Sequence, residues 1–251
     1  MTRIDDYKAL LEPLSAEDQL ILCGGDGTLN RFINDTDGID IKCRILYYAI
    51  GTGNDFLHDL GKKVGDAPFP INEYLKDLPF VEVNGKKYRY LNGIDGYCCE
   101  VGDQLKAKSD KPVNYTAIAI KGLLFHYKPK TATVTVDGKR YTYKKAWIAA
   151  TMKGRYYGGG MKTAPDQNRL DEKGEVTLVV MYGKGKLKTL TVFPSIFKGE
   201  HIKHTEMVAV HTGKEISVTF DQPCALQIDG ETVLNVSGYR VTAEQKSPVT
   251  V

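Results

Sequence analysis

Asp18-Gln19-Leu20-Ile21-Leu22-Cys23-Gly24-Gly25-Asp26-Gly27-Thr28-Leu29-Asn30 is the stretch whose reading decides the fold. Residues 18–23 form a short apolar run that stops at two glycines, the signature of a buried parallel strand. A helix is expected to start at residues 28–33. Glycines between a strand and a helix let the backbone approach a phosphate closely. The helix start adds free N–H groups and the positive end of its dipole. Asp26 is suited either to hold a phosphate-bound Mg²⁺ or to orient the loop. Thr28 is suited to cap the helix or to bond a phosphate oxygen. The pattern is neither the P-loop nor the dinucleotide Gly-x-Gly-x-x-Gly. Three glycines and an aspartate in four residues exceed what a plain tight turn needs.

The same rhythm returns downstream. Residues 41–50 read as a second apolar strand, followed by Gly51-Thr52-Gly53-Asn54-Asp55-Phe56 and a short helix from Asp55. Strand, glycine loop and helix met twice indicate α/β architecture, and both loops would lie at the carboxyl ends of parallel strands, where ligands bind. Ahead of them, residues 7–14 offer at most one short helix. The pattern changes near Pro79. Asn84-Gly85 and Asp137-Gly138 each sit between alternating runs and predict β-hairpins. Residues 105–125 read as helical, interrupted at Lys111-Pro112. Strands are expected at 146–151, 175–181, 207–211, 215–220, 225–228 and 232–236, with one more helix at 186–197. Two domains follow: an α/β domain over residues 1–80 and a mostly antiparallel β domain over residues 81–251.

Composition limits the function classes. A chain of 251 residues with 42% hydrophobic and 26% charged residues can bury an ordinary core without staples. Its net charge of +3 is too balanced for a dedicated nucleic-acid binder, so no nucleic-acid partner is expected. No apolar run approaches a membrane span, and acids replace the apolar stretch of a signal peptide, which suggests a cytoplasmic protein. The five cysteines (23, 43, 98, 99 and 224) show no Cys-x-x-Cys spacing and read as buried reduced thiols. His201 and His204 have no further ligand nearby and read as surface residues. The 25 glycines are an excess, and eight of them (24, 25, 27, 51, 53, 158, 159 and 160) fall in three loops. That placement makes the excess partly a phosphate-site signature.

The ordered set of motifs resembles the diacylglycerol kinase catalytic domain family, and more closely its soluble bacterial diacylglycerol/lipid kinases. Gly24-Gly25-Asp26-Gly27-Thr28 and Gly51-Thr52-Gly53-Asn54-Asp55-Phe56 carry the resemblance first. Asn92-Gly93-Ile94-Asp95-Gly96, Gly158-Gly159-Gly160-Met161 with Ala164-Pro165, and Gln227-Ile228-Asp229-Gly230-Glu231 extend it. Gly-Gly-Asp-Gly alone also occurs in NAD kinases and phosphofructokinases; the set is more specific. The resemblance implies a Rossmann-like ATP-binding α/β domain of the NAD kinase/diacylglycerol kinase type, followed by an antiparallel β-sandwich. ATP contacts would fall on Gly24, Gly25, Asp26, Gly27, Thr28, Leu29, Asn30 and Thr52. Glu231, or Asp229 beside it, would take the proton from a lipid hydroxyl. Without the family, Asp229-Gly230 reads as a turn like the two other hairpins, except that Glu231 stands where they have Lys86 and Lys139.

The resemblance also implies a structural Mg²⁺ after Ala164-Pro165. Counting on from Pro165 gives Asp171 as the side-chain ligand, with carbonyls from Asn168 and Lys173. Here Asp171-Glu172-Lys173-Gly174 inserts two residues into the family's Asp-Gly, so a solvated acidic turn is the competing reading. The family's first βαβ unit is expected to be absent, because only 17 residues precede Asp18. A lipid substrate implies peripheral membrane contact, for which Lys121-Gly122-Leu123-Leu124-Phe125-His126-Tyr127-Lys128 is a candidate beside the reading as an ordinary amphipathic helix end. A homodimer is compatible with these readings. The expected reaction is transfer from ATP to diacylglycerol. The alternatives are an NAD kinase-like enzyme and a non-catalytic nucleotide- or lipid-binding member.

Overall fold

The computed structural model describes residue 4 and residues 6–50, 54–96 and 129–243. Thr52, Cys98, Cys99, the helix expected at 105–125 and the segment 121–128 lie outside them. The opening stretch forms the expected strand and helix, β1 (Gln19–Gly24) running into α2 (Asp26–Asp35) after a first short helix, α1 (Tyr7–Leu11). But β1 is not the buried strand expected: Leu22 is buried while Ile21 and Cys23 on the other face are exposed. Helix α2 begins two residues earlier than the apolar pattern suggests, because Gly25 is its N-cap. β2 (Arg44–Ala49) pairs parallel with β1 in the register Gln19↔Arg44 to Gly24↔Ala49, which places the ends of both strands side by side. The short α3 (Asp55–Asp59) follows, then β3 (Phe69–Pro70), antiparallel to β2, and α4 (Asn72–Leu75). Leu29, Phe32 and Ile33 of α2, spaced to share one face, pack on Leu22, Ile45 and Tyr47 of the sheet with Phe56 and Leu57 of α3.

From Phe80 onward a second sheet takes over. β4 (Phe80–Val83) and β5 (Lys86–Arg89) form the Asn84-Gly85 hairpin, and β6 (Gly93–Gly96) follows. β7 (Lys130–Val136) and β8 (Lys139–Ala146) form the Asp137-Gly138 hairpin. β9 (Ile148–Met152), β10 (Val176–Met181), β11 (Val208–Gly213), β12 (Glu215–Ile228) and β13 (Glu231–Thr242) complete it. The order is β11-β10-β9-β6-β12-β13-β4-β5, with β7 joined to β12. The two strands expected at 215–220 and 225–228 are one bent strand, β12. Its register slips around Pro223, a residue with no N–H to give a ladder. The first half of β12 pairs with β7 and the second half with β6, so one strand serves both layers of a sandwich.

Alternation along β10 divides the burial. Val176, Leu178 and Val180 face the sandwich interior with Val134, Val218 and Leu226. Val179 and Met181 face the other way, under α5 (Lys186–Val192) and the 3₁₀ turns after it, with Phe193, Ile196 and Met207. The helix expected at 186–197 breaks at Val192, because Pro194 cannot donate to an α-helical ladder. Two further expectations are corrected. His201 is buried, not at the surface: one ring nitrogen meets the Thr163 carbonyl at 2.9 Å, the other has no hydrogen-bond partner among the described residues, and burial pushes its pKa down to about 4. Cys43 and Cys224 are buried and outside any disulfide, as read, but Cys23 is exposed. No described helix is long and apolar enough to cross a membrane.

Candidate active site

The site is built from carboxylates at the junction of the two sheets. Gly24 ends β1 beneath Thr28: a Cβ at Gly24 would fall 2.1 Å from Thr28 Oγ1, so only glycine fits. Gly27 is different. A Cβ there would meet nothing within 4 Å among the described residues, so no described neighbour requires a glycine. Open space beside the first turn of a helix whose N-cap has no side chain suits a phosphate group. The Leu29 side chain is fully buried in the core and anchors the helix.

Asp26 holds the start of α3. Its carboxylate accepts the N–H groups of Asp55 at 2.6 Å and Phe56 at 3.2 Å and so caps α3 from outside. Burial, reinforced by the negative charge of Asp55, pushes the Asp26 pKa up to about 7. Asp55 in turn accepts the N–H groups of Gly159 at 2.9 Å and Gly160 at 2.7 Å, and burial raises its pKa as well. Gly158, Gly159 and Gly160 have φ of 66°, 82° and 101°, three successive left-handed residues that only glycine adopts readily. This third glycine loop therefore holds Asp55. Behind it, buried Asp95 accepts the Ala149 N–H at 3.2 Å and the Tyr157 hydroxyl at 2.5 Å, which fixes the loop on β9.

Asp229 and Glu231, adjacent in sequence, part ways. Asp229 points inward and is 8% exposed. Its Oδ1 accepts the N–H groups of Asn92 (2.8 Å) and Gly93 (2.9 Å); its Oδ2 accepts those of Leu91 (2.5 Å) and the Asn30 side chain (3.2 Å). Burial pushes its pKa up, and the four donors oppose that shift. With two donors on each oxygen, its usual acceptor sites are filled. Glu231 begins β13 opposite Ile228 and is exposed. The turn thus anchors one carboxylate and presents the other.

The metal loop is less well provided. Asp171 accepts the Glu175 N–H at 3.2 Å, and Asn168 Oδ1 accepts the Leu170 N–H at 3.1 Å. The Asn168 carbonyl already accepts from Asp171 N and Gln167 Nε2, and Lys173 is exposed. Among the described residues no group of three His, Cys, Asp or Glu is gathered for a metal. These hydrogen bonds close a turn, and the assignment of Asp171, Asn168 and Lys173 to a metal rests on the motif.

Sequence reasoning passed over one group of residues. Asp59, Arg155 and Arg169 tie α3 to the second sheet. Asp59 receives the Arg155 N–H at 3.1 Å, Arg155 Nε at 2.5 Å and a short bond from Arg169 Nε. The Asp59 and Arg169 side chains are 2% and 6% exposed, and removing one partner of such a pair costs about 3–5 kcal/mol because the other charge is stranded. One signal was available: Asp55 and Asp59 lie four apart on α3 and so share a face. Nothing local marks Arg169.

The chain was compared with known proteins. Residues 90–244 match the family model described as YegS C-terminal NAD kinase beta sandwich-like domain, and residues 1–77 match the diacylglycerol kinase catalytic domain. The chain is 26% identical over 220 residues to a diacylglycerol kinase of Bacillus subtilis (strain 168), covering 85% of this chain and 71% of the relative. It is 26% identical over 238 residues to a diacylglycerol kinase of Staphylococcus carnosus (strain TM300), covering 91% and 74%. A crystal structure of a diacylglycerol kinase from Bacillus anthracis str. Sterne superposes with a TM-score of 0.59 at 17% identity, covering 97% of this chain and 80% of that one. The class is thus an α/β catalytic domain joined to a β-sandwich of NAD kinase type. The chain belongs to the diacylglycerol kinase family of bacterial lipid kinases.

Proposed function

We propose that the protein is an ATP-dependent kinase that phosphorylates the hydroxyl of diacylglycerol, or a closely related lipid, to give phosphatidic acid. In this reading residues 1–80 bind ATP, and residues 81–251 carry the Asp229-Gly230-Glu231 turn. The observation that carries it is a single connection: Asn30, on the helix that starts at the glycine loop, bonds Asp229 at 3.2 Å, two residues from exposed Glu231. A phosphate-binding helix start and a free carboxylate are thereby held in one frame. Phosphoryl transfer asks for that much, since its catalysis is mainly positioning and charge stabilisation.

In the proposed step the lipid hydroxyl oxygen attacks the γ-phosphorus of ATP. Its proton passes to the Glu231 carboxylate, the bond to the β–γ bridging oxygen breaks, and ADP leaves. Gly24 through Asn30 shape the phosphate site, with open space beside Gly27, and Thr52 is an assigned ATP contact by motif. Mg²⁺, arriving with ATP, would neutralise phosphate charge. Asp229 cannot act as base without releasing one of its four donors, whereas Glu231 is exposed, so Glu231 is assigned that role. A diacylglycerol acceptor stays in the bilayer, so catalysis requires peripheral membrane contact.

Labelled ATP with mixed micelles containing diacylglycerol tests the reading. Label is expected in an extractable phospholipid and absent from NAD offered in its place. Transfer to NAD, or none to any lipid alcohol, would sink it.

A further inference from the structure

The peptide group between Leu91 and Asn92 is gripped at both ends. Its carbonyl oxygen accepts Arg169 Nη1 at 2.5 Å, and its N–H donates to Asp229 Oδ1 at 2.8 Å. Arg169 Nη2 also donates to Asn92 Oδ1 at 2.5 Å. A cation at the carbonyl end and a carboxylate at the N–H end both lie along the peptide dipole, so each favours the other. The guanidinium lies 4.9 Å from the Phe56 ring centre and binds Asp59, both on α3, directly after the second glycine loop. A Cβ at Gly154 would fall 2.1 Å from Arg169 Nη2, so close backbone packing confines the fork.

We propose that Arg169 is a positioning residue for the reaction: it sets the segment 91–93, and through it the Asp229-Gly230-Glu231 turn, against α3 and the nucleotide loops. The chain of contacts runs Asp59, Arg169, the Leu91–Asn92 peptide, Asp229, Asn30. It crosses from the first sheet's helices to the second sheet and returns to the helix of the phosphate loop. Arginine is needed because three partners in different directions require a planar fork; a lysine keeps the charge but offers a point donor.

The inference rests on the kinase reading, and its test separates the two. Arg169→Lys, Asn92→Ala and Arg155→Lys are compared with wild type for kcat, KM for ATP, and amide hydrogen exchange over residues 91–93. Arg155 shares Asp59 but does not touch the segment 91–92, so Arg155→Lys weakens the ion pair alone. Arg169→Lys is expected to lower kcat by about a hundredfold, as for a misplacement of roughly 1 Å. KM for ATP should stay within about twofold, and exchange at 91–93 should accelerate. Asn92→Ala, which spares the ion pair, should lose kcat in the same direction. A folded Arg169→Lys with wild-type kcat overturns the proposal, as does an equal kcat loss in Arg155→Lys. If wild type transfers no phosphate to lipid, the kinase reading falls; unchanged exchange at 91–93 in Arg169→Lys then overturns this inference separately.

Discussion

Two hairpins of this protein turn through the same pair of residues. At Asp137-Gly138 the φ angles are 45° and 83°; at Asp229-Gly230 they are 47° and 98°. Both aspartates accept backbone N–H groups from another segment. Asp137 binds Lys214 and Glu215 in the open. Asp229 is buried, binds three successive N–H groups and Asn30, and is followed by Glu231 where the other turn has Lys139. The local conformation is shared because Asp and Gly tolerate left-handed backbone, which is a property of the residues. The consequence differs because of what each turn lands on. One closes a hairpin at the surface; the other closes the junction beside the helix that starts at the first glycine loop.

The largest expected break in the comparison is Glu231→Gln. If the exposed carboxylate is the base, kcat should fall by about 10²–10⁴ with the melting temperature and ATP affinity unchanged, as read by steady-state rates and calorimetry. Next is Asp229→Asn. An amide turned toward backbone donors leaves buried hydrogen-bonding groups unpaired, at ~1–3 kcal/mol for each stranded group. Denaturant melts should register the loss and kcat should fall with it. A stable Asp229→Asn variant would mean that the junction does not depend on this carboxylate.

The third prediction concerns pH. Asp26 has a raised folded pKa of about 7, so its contribution to stability is present below the unfolded value and is lost as pH rises toward 7. His201 has a depressed folded pKa of about 4, so its contribution is present above the ordinary histidine value and is lost as pH falls toward 4. The two oppose each other between about pH 4 and 6.5. Relative to wild type, Asp26→Asn should lose more stability on acidification from pH 7 to 5, and His201→Gln less. Parallel melting curves for all three proteins would refute both assignments. The smallest effect is Asp137→Asn, an exposed turn that should cost about 0.5–1 kcal/mol and leave kcat unchanged. A kcat loss there as large as in Asp229→Asn would erase the contrast between the turns.

Much of this was legible beforehand. The apolar run before Gly24 and the repeat before Gly51 identify parallel strands, although only one face of β1 is buried and Ile21 is left exposed on the other. Asn84-Gly85, Asp137-Gly138 and Asp229-Gly230 mark hairpins through their own dihedral preferences. The failures have physical causes as well. β12 reads as two strands because Asp221-Gln222-Pro223 interrupts the apolar pattern, whereas a register shift accommodates it within one strand that serves two layers. A neutral buried histidine leaves no local mark, so with no further ligand near it in sequence His201 reads as exposed. Arg169 was passed over because its partners are 77, 78 and 110 residues away.

The sequence by itself determined the elements, their order and the family to which the motifs belong, since these follow from backbone preferences and burial patterns within a few residues. Only the tertiary structure decided what each carboxylate does. Asp26 caps a helix it does not belong to, Asp55 is held by glycines more than a hundred residues on, and Asp229 is saturated while Glu231 stays open. A carboxylate's chemistry depends on its burial and on the donors it meets, and those are set by segments that only folding brings together.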